Sequence, residues 1–476
     1  MRKAIITVIM LPLLLASAGV RAQGLMGCYS TYNNVNLIGE NPAYAVTDDR
    51  AQINVLGFEA LAGSNALLFN RSVLGFLATG NAVPGTDYVK DPTMGDRSMR
   101  LNMNIIGPGA SFRVLKKYTF AITSDLKYQV NVSHLDNYVF MALGANGVTY
   151  PAAGSTYNLN NFSMVAQMYK EVNFSYGANF MENEDMTMAG GISLKCLIGI
   201  GAFAAGIPHA SFTANGMDGM AYHVNGNINV AFTPYANKFA LSNSPLNAGQ
   251  NSSNDLGIGA DVGVVYYLHI NNTMHRKKEY QLRLAASVSD IGSINYSAST
   301  TTGSYSITNK TIDYHSIQNN PQETFGSRIF NEYLTDTVAR STSSGSKFKV
   351  GLPTAFHLNA DVNVTQEMFY INGNLLLNLR TPSAGKYASY YVTTFTLTPR
   401  FIFNKETEFA VGMPFSYNVL GQGTCGAVLF YAPFYIGSGT LFNFLADTNI
   451  KNINLYGGFT FRIKPKHQRV KDMMMM

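Results

Sequence analysis

Eight histidines (134, 209, 223, 269, 275, 315, 357 and 467) and three cysteines (28, 196 and 425) are the residues best suited to bond-making chemistry here. Their spacing forms neither a Cys-x-x-Cys pair nor a Cys/His cluster. Such a pattern supports no zinc site and no disulfide scaffold, so neither a metal nor a cofactor is expected. No Gly-x-Ser-x-Gly turn presents an activated nucleophile. Of the histidines, only His357 falls on a convincing polar strand face, with Asn359 and Asp361. A structural hydrogen bond suits it better than catalysis, and the chain is not read as an enzyme. The remaining chemistry is electrostatic. Asp125, Lys127, Glu171, Lys195, Asp261, Arg283, Asp361, Arg380, Arg400, Glu408 and Arg462 all fall on the polar faces of alternating segments. Both signs are interspersed, which describes a solvated or bracing network; charges of this kind can also tune the selectivity of a pore.

The segments that carry these charges alternate strictly. In 356–364, Phe356, Leu358, Ala360, Val362 and Val364 face one way, and His357, Asn359, Asp361 and Asn363 the other. Successive strand side chains point to opposite faces, so one face is apolar and one polar. The pattern recurs in 118–128, 224–232, 281–289, 369–380 and 452–463. Many segments reach ten residues or more, with links as short as Lys116-Lys117 or Lys405-Glu406 between some. Elsewhere they are separated by long polar stretches such as 131–161, 233–255 and 298–345. Short turns at one end and long loops at the other describe a transmembrane antiparallel β-barrel, the one β architecture that satisfies every backbone group in lipid.

Composition agrees. Only 13% of residues are charged, about half the roughly 25% of an ordinary soluble protein, and Gly reaches 43. Beyond the first two dozen positions no apolar run approaches the roughly 20 residues of a membrane helix. Residues 1–22 read as a secretory signal peptide: Arg2 and Lys3, an apolar stretch from Ala4 to Leu15, then small residues, with cleavage after Ala22 or alternatively after Ala18. Cleavage after Ala22 removes three cations and no acid, taking the formal charge from +6 to +3, so no nucleic-acid partner is indicated. Leu25-Met26-Gly27-Cys28 leaves lipidation of Cys28 open as an alternative.

Fourteen strands are expected: 99–115, 118–130, 163–180, 186–206, 209–215, 220–233, 257–270, 279–297, 346–365, 369–381, 389–404, 407–419, 424–437 and 452–463. This set leaves both termini on the long-loop side. The conflict is relieved if 99–115 is two strands hinged at Gly107-Pro108-Gly109 or if 51–58 adds a strand upstream. A further strand at 434–445 is the other candidate, and sixteen is the alternative count. Residues 23–97 are read as an N-terminal plug, with a periplasmic segment bearing one early strand as the alternative. Residues 98–463 are the barrel and 464–476 a basic, Met-ended tail. Residues 322–339 carry apolar positions at helical spacing, consistent with a short helix over the outer mouth.

A signal peptide, then Asn41-Pro42-Ala43, then about fourteen alternating strands resembles the long-chain fatty-acid (FadL-type) transporter superfamily of outer-membrane proteins. More closely, 255–266 (DLGIGADVGVVY) and 286–296 (ASVSDIGSINY) resemble an uncharacterised Bacteroidetes barrel family related to it. The resemblance implies that Asn41, Pro42 and Ala43 form the turn of a lumen hatch and that an apolar ligand leaves through the wall. It places the protein in the bacterial outer membrane, with passive transport of small hydrophobic molecules as its function. Outer-membrane lipid, the barrel-assembly machinery and a small apolar ligand are then the expected partners. A non-transporting structural, adhesive or secretion-associated surface barrel stays open as the alternative, and the oligomeric state is not legible.

Overall fold

The computed structural model describes residues 34–47, 51–69, 88–90, 96–114, 117–136, 154–215, 221–234, 255–269, 280–299, 302–313, 339–343, 346–365, 368–404, 409–418, 420–446 and 450–463. The signal peptide, Cys28, Glu408, the body of the 322–339 segment and the 464–476 tail lie outside them.

Fourteen antiparallel strands form a closed barrel. They are β1 (Ala51–Ser64), β2 (97–114, interrupted at Gly107-Pro108), β3 (Tyr118–Leu135), β4 (Thr156–Glu182), β5 (Met186–Asn215), β6 (Asp255–His269) and β7 (Tyr280–Ser297). They continue as β8 (347–365, interrupted at 352–354), β9 (Phe369–Asn378), β10 (Thr394–Asn404), β11 (409–418), β12 (423–431), β13 (Phe434–Ser438) and β14 (Asn452–Ile463). Each strand pairs with the next, and β1 closes the ring on β14 from Ala51↔Ile463 to Gly63↔Asn452. Both chain ends of the wall therefore sit at the short-turn end, which removes the topological conflict in the expected strand set.

The expected number of strands holds, but its membership changes. The segments 209–215 and 186–206 are one strand, because β5 runs unbroken for 30 residues. Residues 220–233 are not wall: Ala221–Phe232 pairs with the far half of β5 and with Gly303–Asp313, forming a sheet beyond the barrel. In their place, β1 is a wall strand inside the segment read as plug, and 424–437 divides at Ala432-Pro433 into β12 and β13. A strand was also expected to begin at 389, but 389–393 leave the wall and enter the lumen; β10 starts at Thr394.

The barrel is inside-out relative to a soluble protein. Outward positions are apolar and bare, as in Phe174, Ile192 (59% exposed), Leu256 (68% exposed) and Phe403. Inward positions such as Asn173, Ser193, Asn359 and Thr396 are polar and buried. Water would penalise that outer surface by about 25 cal/mol per Å², whereas hydrocarbon does not. At the short-turn end, rings on neighbouring strands touch: Phe369 with Phe401 at 4.6 Å, Phe403 with Phe409 at 5.1 Å and Phe434 with Phe459 at 4.8 Å. Such a band of outward rings has the form of the aromatic girdles that transmembrane barrels carry. β4 and β5, at 27 and 30 residues, far exceed the roughly 9–11 residues that span a bilayer, so their upper halves stand clear of it.

Candidate lumen site

The lumen is filled in three layers. The lowest is the segment 34–47, a helical turn α1 (Asn34–Leu37) followed by a 3-10 turn (Pro42–Thr47). Asn41 holds it in place. Its Oδ1 accepts the Ala43 N–H (2.9 Å), closing the turn that Pro42 favours, while its Nδ2 donates to the Val264 carbonyl (3.2 Å) and the Ala286 carbonyl (3.4 Å). Glycines in the facing wall make room. A Cβ on Gly263 would lie 2.1 Å from Asn41 Oδ1, and one on Gly191 would lie 2.5 Å from the Pro42 carbonyl carbon. Ser287 Oγ donates to the Glu40 carbonyl at 2.6 Å. Asn41, Pro42 and Ala43 are thus inside the barrel, all three buried or nearly so.

Beside this segment, Asp361 takes three donors: Tyr280 Oη (2.5 Å), Arg400 Nη2 (3.0 Å) and, at ion-pair distance, Arg283 Nη2 (3.4 Å). Arg283 lies over the Tyr44 ring at 5.3 Å and Arg400 over the Tyr370 ring at 4.9 Å. Each such cation–π contact is worth about 0.5–2 kcal/mol. Burial pushes the Tyr44 phenol well above its ordinary pKa, so it remains an uncharged floor for Arg283.

The middle layer gathers Lys127, Glu171, Lys195 and Asp261, as their shared face predicts. Lys195 Nζ, fully buried, lies 2.6 Å from Asp290, 2.9 Å from Asp261 and 3.4 Å from Glu171; Lys127 Nζ is 2.9 Å from Glu171. Asp290, the centre of this network, escapes sequence reading. Strict alternation points it at lipid, yet it is 2% exposed and faces inward. The cause is a β-bulge: Ala260 pairs Ile291 whereas Val262 pairs Val288, so two residues of β7 face Asp261. Asp290 takes φ +56°, and its N–H donates to Asp261 Oδ1 at 2.7 Å.

His357 is in this layer, as expected of a lumen residue. Its Nε2 shares a hydrogen bond with Ser289 Oγ (2.8 Å), and Glu40 Oε2 is 3.9 Å from Nδ1. The order carboxylate, imidazole, hydroxyl has the outline of an acyl-transfer triad, but Glu40, Asp125 and Asp290 crowd the same cavity. Their charge opposes the oxyanion that such a reaction must stabilise. Asp125 lines this cavity, of about 100 Å³, together with Glu59, Lys127, Gly107 and Gly109. Arg380 and Arg462 do not join the network. Arg380 Nε donates to Thr354 Oγ1 (3.0 Å) above it, and Arg462 sits at the short-turn rim opposite Gln52.

The upper layer is apolar, with Tyr169, Leu197, Ile294, Tyr296, Val350 and Leu352 buried together. The bulge creates it, since beyond Asp290 the inward positions of β7 become Ile294 and Tyr296. Across its top runs the β9–β10 connection, 379–393. Asn131 on the opposite wall donates to the Tyr390 carbonyl (3.0 Å), Gln167 donates to Ser389 Oγ (2.8 Å), and Tyr391 Oη donates to Asp290 Oδ2 (2.9 Å).

Fold and lumen together define a closed membrane-type β-barrel with an occupied interior. Residues 42–439 match the family of unknown function DUF5723, and the chain belongs to that family. No curated protein matches it. Among solved structures it is similar to the Ralstonia pickettii toluene transporter TbuX (10% identity, 92% of this chain and 97% of that one, TM-score 0.40). It is also similar to a Pseudomonas aeruginosa FadL homologue (8% identity, 93% and 98%, TM-score 0.26) and to the translocator domain of the autotransporter NalP from Neisseria meningitidis (6%, 87% and 89%, 0.30). Likenesses at this level bear on neither substrate nor mechanism.

Proposed function

We propose that this protein is an integral barrel of the bacterial outer membrane that passes small, largely apolar molecules passively between its lumen and its wall. The observation that carries the proposal is the cavity beside the interruption of β2. Gly107 and Gly109 line it, and so does Met103, whose side chain belongs to the exposed outer face. Pro108 has no N–H to give to the ladder, and the Gly107 carbonyl is taken by the side chain of Asn54 on β1 (2.8 Å) instead of by a backbone N–H of that strand. The strand ladder is thus interrupted where the cavity meets the wall. Segment 34–47 then acts as a hatch that moves or loosens. Outer-membrane lipid and the barrel-assembly machinery are the partners this reading requires.

The test is flux of N-phenylnaphthylamine into proteoliposomes. Wild-type protein should raise it above the protein-free rate, and Pro108→Val, which restores a backbone donor, should return it toward that rate while the barrel stays folded. Absence of flux in the wild type would remove the transport reading. It would favour the second one, a non-transporting surface barrel. The observation on that side is that 34–47 and 379–393 occupy the lumen from both ends.

A further inference from the structure

From the charge of the same cavity we infer that its ligand carries a positive charge: the site holds the ammonium head of a small amine whose apolar part lies toward the wall. The cavity is lined by four carboxylates, Glu40, Glu59, Asp125 and Asp290, and by one ammonium, Lys127. Adding the adjoining Glu171, Asp261 and Lys195 gives six acids against two bases. The two lysines are already engaged: Lys195 with three carboxylates, Lys127 with Glu171 at 2.9 Å and Asp290 at 3.7 Å. Glu59 and Asp125 make no hydrogen bond or ion pair with the described residues.

Uncharged groups independently point to a donor-rich guest. His357, 7% exposed and lining the cavity, has no hydrogen-bond partner at Nδ1, with Glu40 beyond hydrogen-bond reach. Asn102 and Asn104 line it as well, and their Oδ1 atoms are buried without a donor. Buried polar atoms left unmet are costly and rare, and a primary ammonium brings the missing charge together with three N–H donors, for the two Asn Oδ1 atoms and for Nδ1 in the tautomer whose Nε2–H donates to Ser289. A bare metal ion fits less well. Among the described residues no group of three His, Cys, Asp or Glu side chains is close enough to hold one. The four acids are instead spread over β1, β3, β7 and the luminal segment, a spacing for a molecule. Glu59 pairs across the sheet with Asn104, which pairs with Lys127, and Asp125 lies one inward position from Lys127. The wall end of the cavity, at Gly107 and Met103, gives an alkyl chain its exit.

This inference deepens the transport reading by naming the class of molecule, but it is tested by binding, without flux. Full-length protein in detergent is titrated calorimetrically with butylammonium chloride, with 1-butanol, and with sodium chloride at equal ionic strength. The expected result is saturable binding of butylammonium alone, weakened about tenfold or more by Glu59→Gln with Asp125→Asn, the scale of one charge-assisted hydrogen bond. Equal binding of 1-butanol, no saturable heat in the wild type, or unchanged affinity in the variant would overturn it. Should the double variant fail to fold, the comparison of butylammonium with 1-butanol decides alone. Amine binding without flux would keep the site and discard transport; flux of neutral probes without amine binding would do the reverse.

Discussion

Lys195→Met tests whether the buried network holds the barrel together or merely decorates it. Methionine keeps most of the apolar stem and deletes the ammonium, which lies 2.6, 2.9 and 3.4 Å from Asp290, Asp261 and Glu171. Lys127 can still serve Glu171 and Asp290, but no ion pair is left to Asp261, whose Oδ2 already lacks a hydrogen bond. Removing one partner of a buried pair costs about 3–5 kcal/mol, against about 0–1 for an exposed pair. The loss should fall in the upper range. The chain has 28 Tyr and no Trp, so indole emission cannot report unfolding. Urea titration of the barrel refolded in lipid vesicles, read by heat-modifiable migration on gels, can do so. Asp261→Asn in the Lys195→Met background should recover a substantial part of the loss by removing the stranded charge. Lys170→Met, on an exposed residue of the same wall, is the control. A loss below about 1 kcal/mol for Lys195→Met, or an equal loss for Lys170→Met, would refute the reasoning.

Other outcomes follow from the same geometry. Ile192→Arg, on the exposed outer face, should cost about 2–4 kcal/mol or block assembly if it lies at bilayer mid-depth, measured by the same titration. Gly191→Ala should displace the luminal segment, because the added Cβ meets Pro42 at 2.5 Å; protease sensitivity of residues 34–47 should rise while the barrel persists. Tyr391→Phe removes a 2.9 Å hydrogen bond to a carboxylate and should raise amide exchange across 379–393, without changing exchange in β14. Thr156→Cys should react with an impermeant thiol reagent on intact cells and Asp185→Cys should not, since they sit at opposite ends of β4 and its turn.

The wall was legible because lipid imposes a two-residue period on it, and one face of a strand such as 356–364 can be read without knowing its neighbours. What required neighbours was not legible. β1 was hidden because Val55, Leu56 and Gly57 break the alternation, and the register slip between Asn54 and Leu56 against β14 is the reason. The right number of strands came from errors that cancelled. One long strand was split and one outlying strand counted as wall, while β1 was left out of the set and β12 and β13 were merged. In the lumen, Lys127, Glu171, Lys195 and Asp261 could be found by parity. Asp290 could not, since one extra residue in β7 turns it inward. Ser289 and Tyr391 matter only through partners 68 and 101 residues away. Asn41-Pro42-Ala43 stood out as a turn, but its seat in the barrel depends on Gly191 and Gly263, which sequence shows as ordinary strand glycines.

The seam between β1 and β14 has a consequence for how the molecule comes into being. Ala51 and Ile463 are almost the whole chain apart, so their pairing is among the last contacts a folding barrel can make, and non-local pairing of this kind is slow. Until then the sheet has two raw edges that would recruit any other strand. The luminal segment is joined to β1 by only three residues, 48–50, and its 3-10 turn rests against β4, β5 and β6. The strand that closes the seam thus carries the contents of the lumen on its leading end, and whatever brings β1 to β14 also brings that segment to its seat.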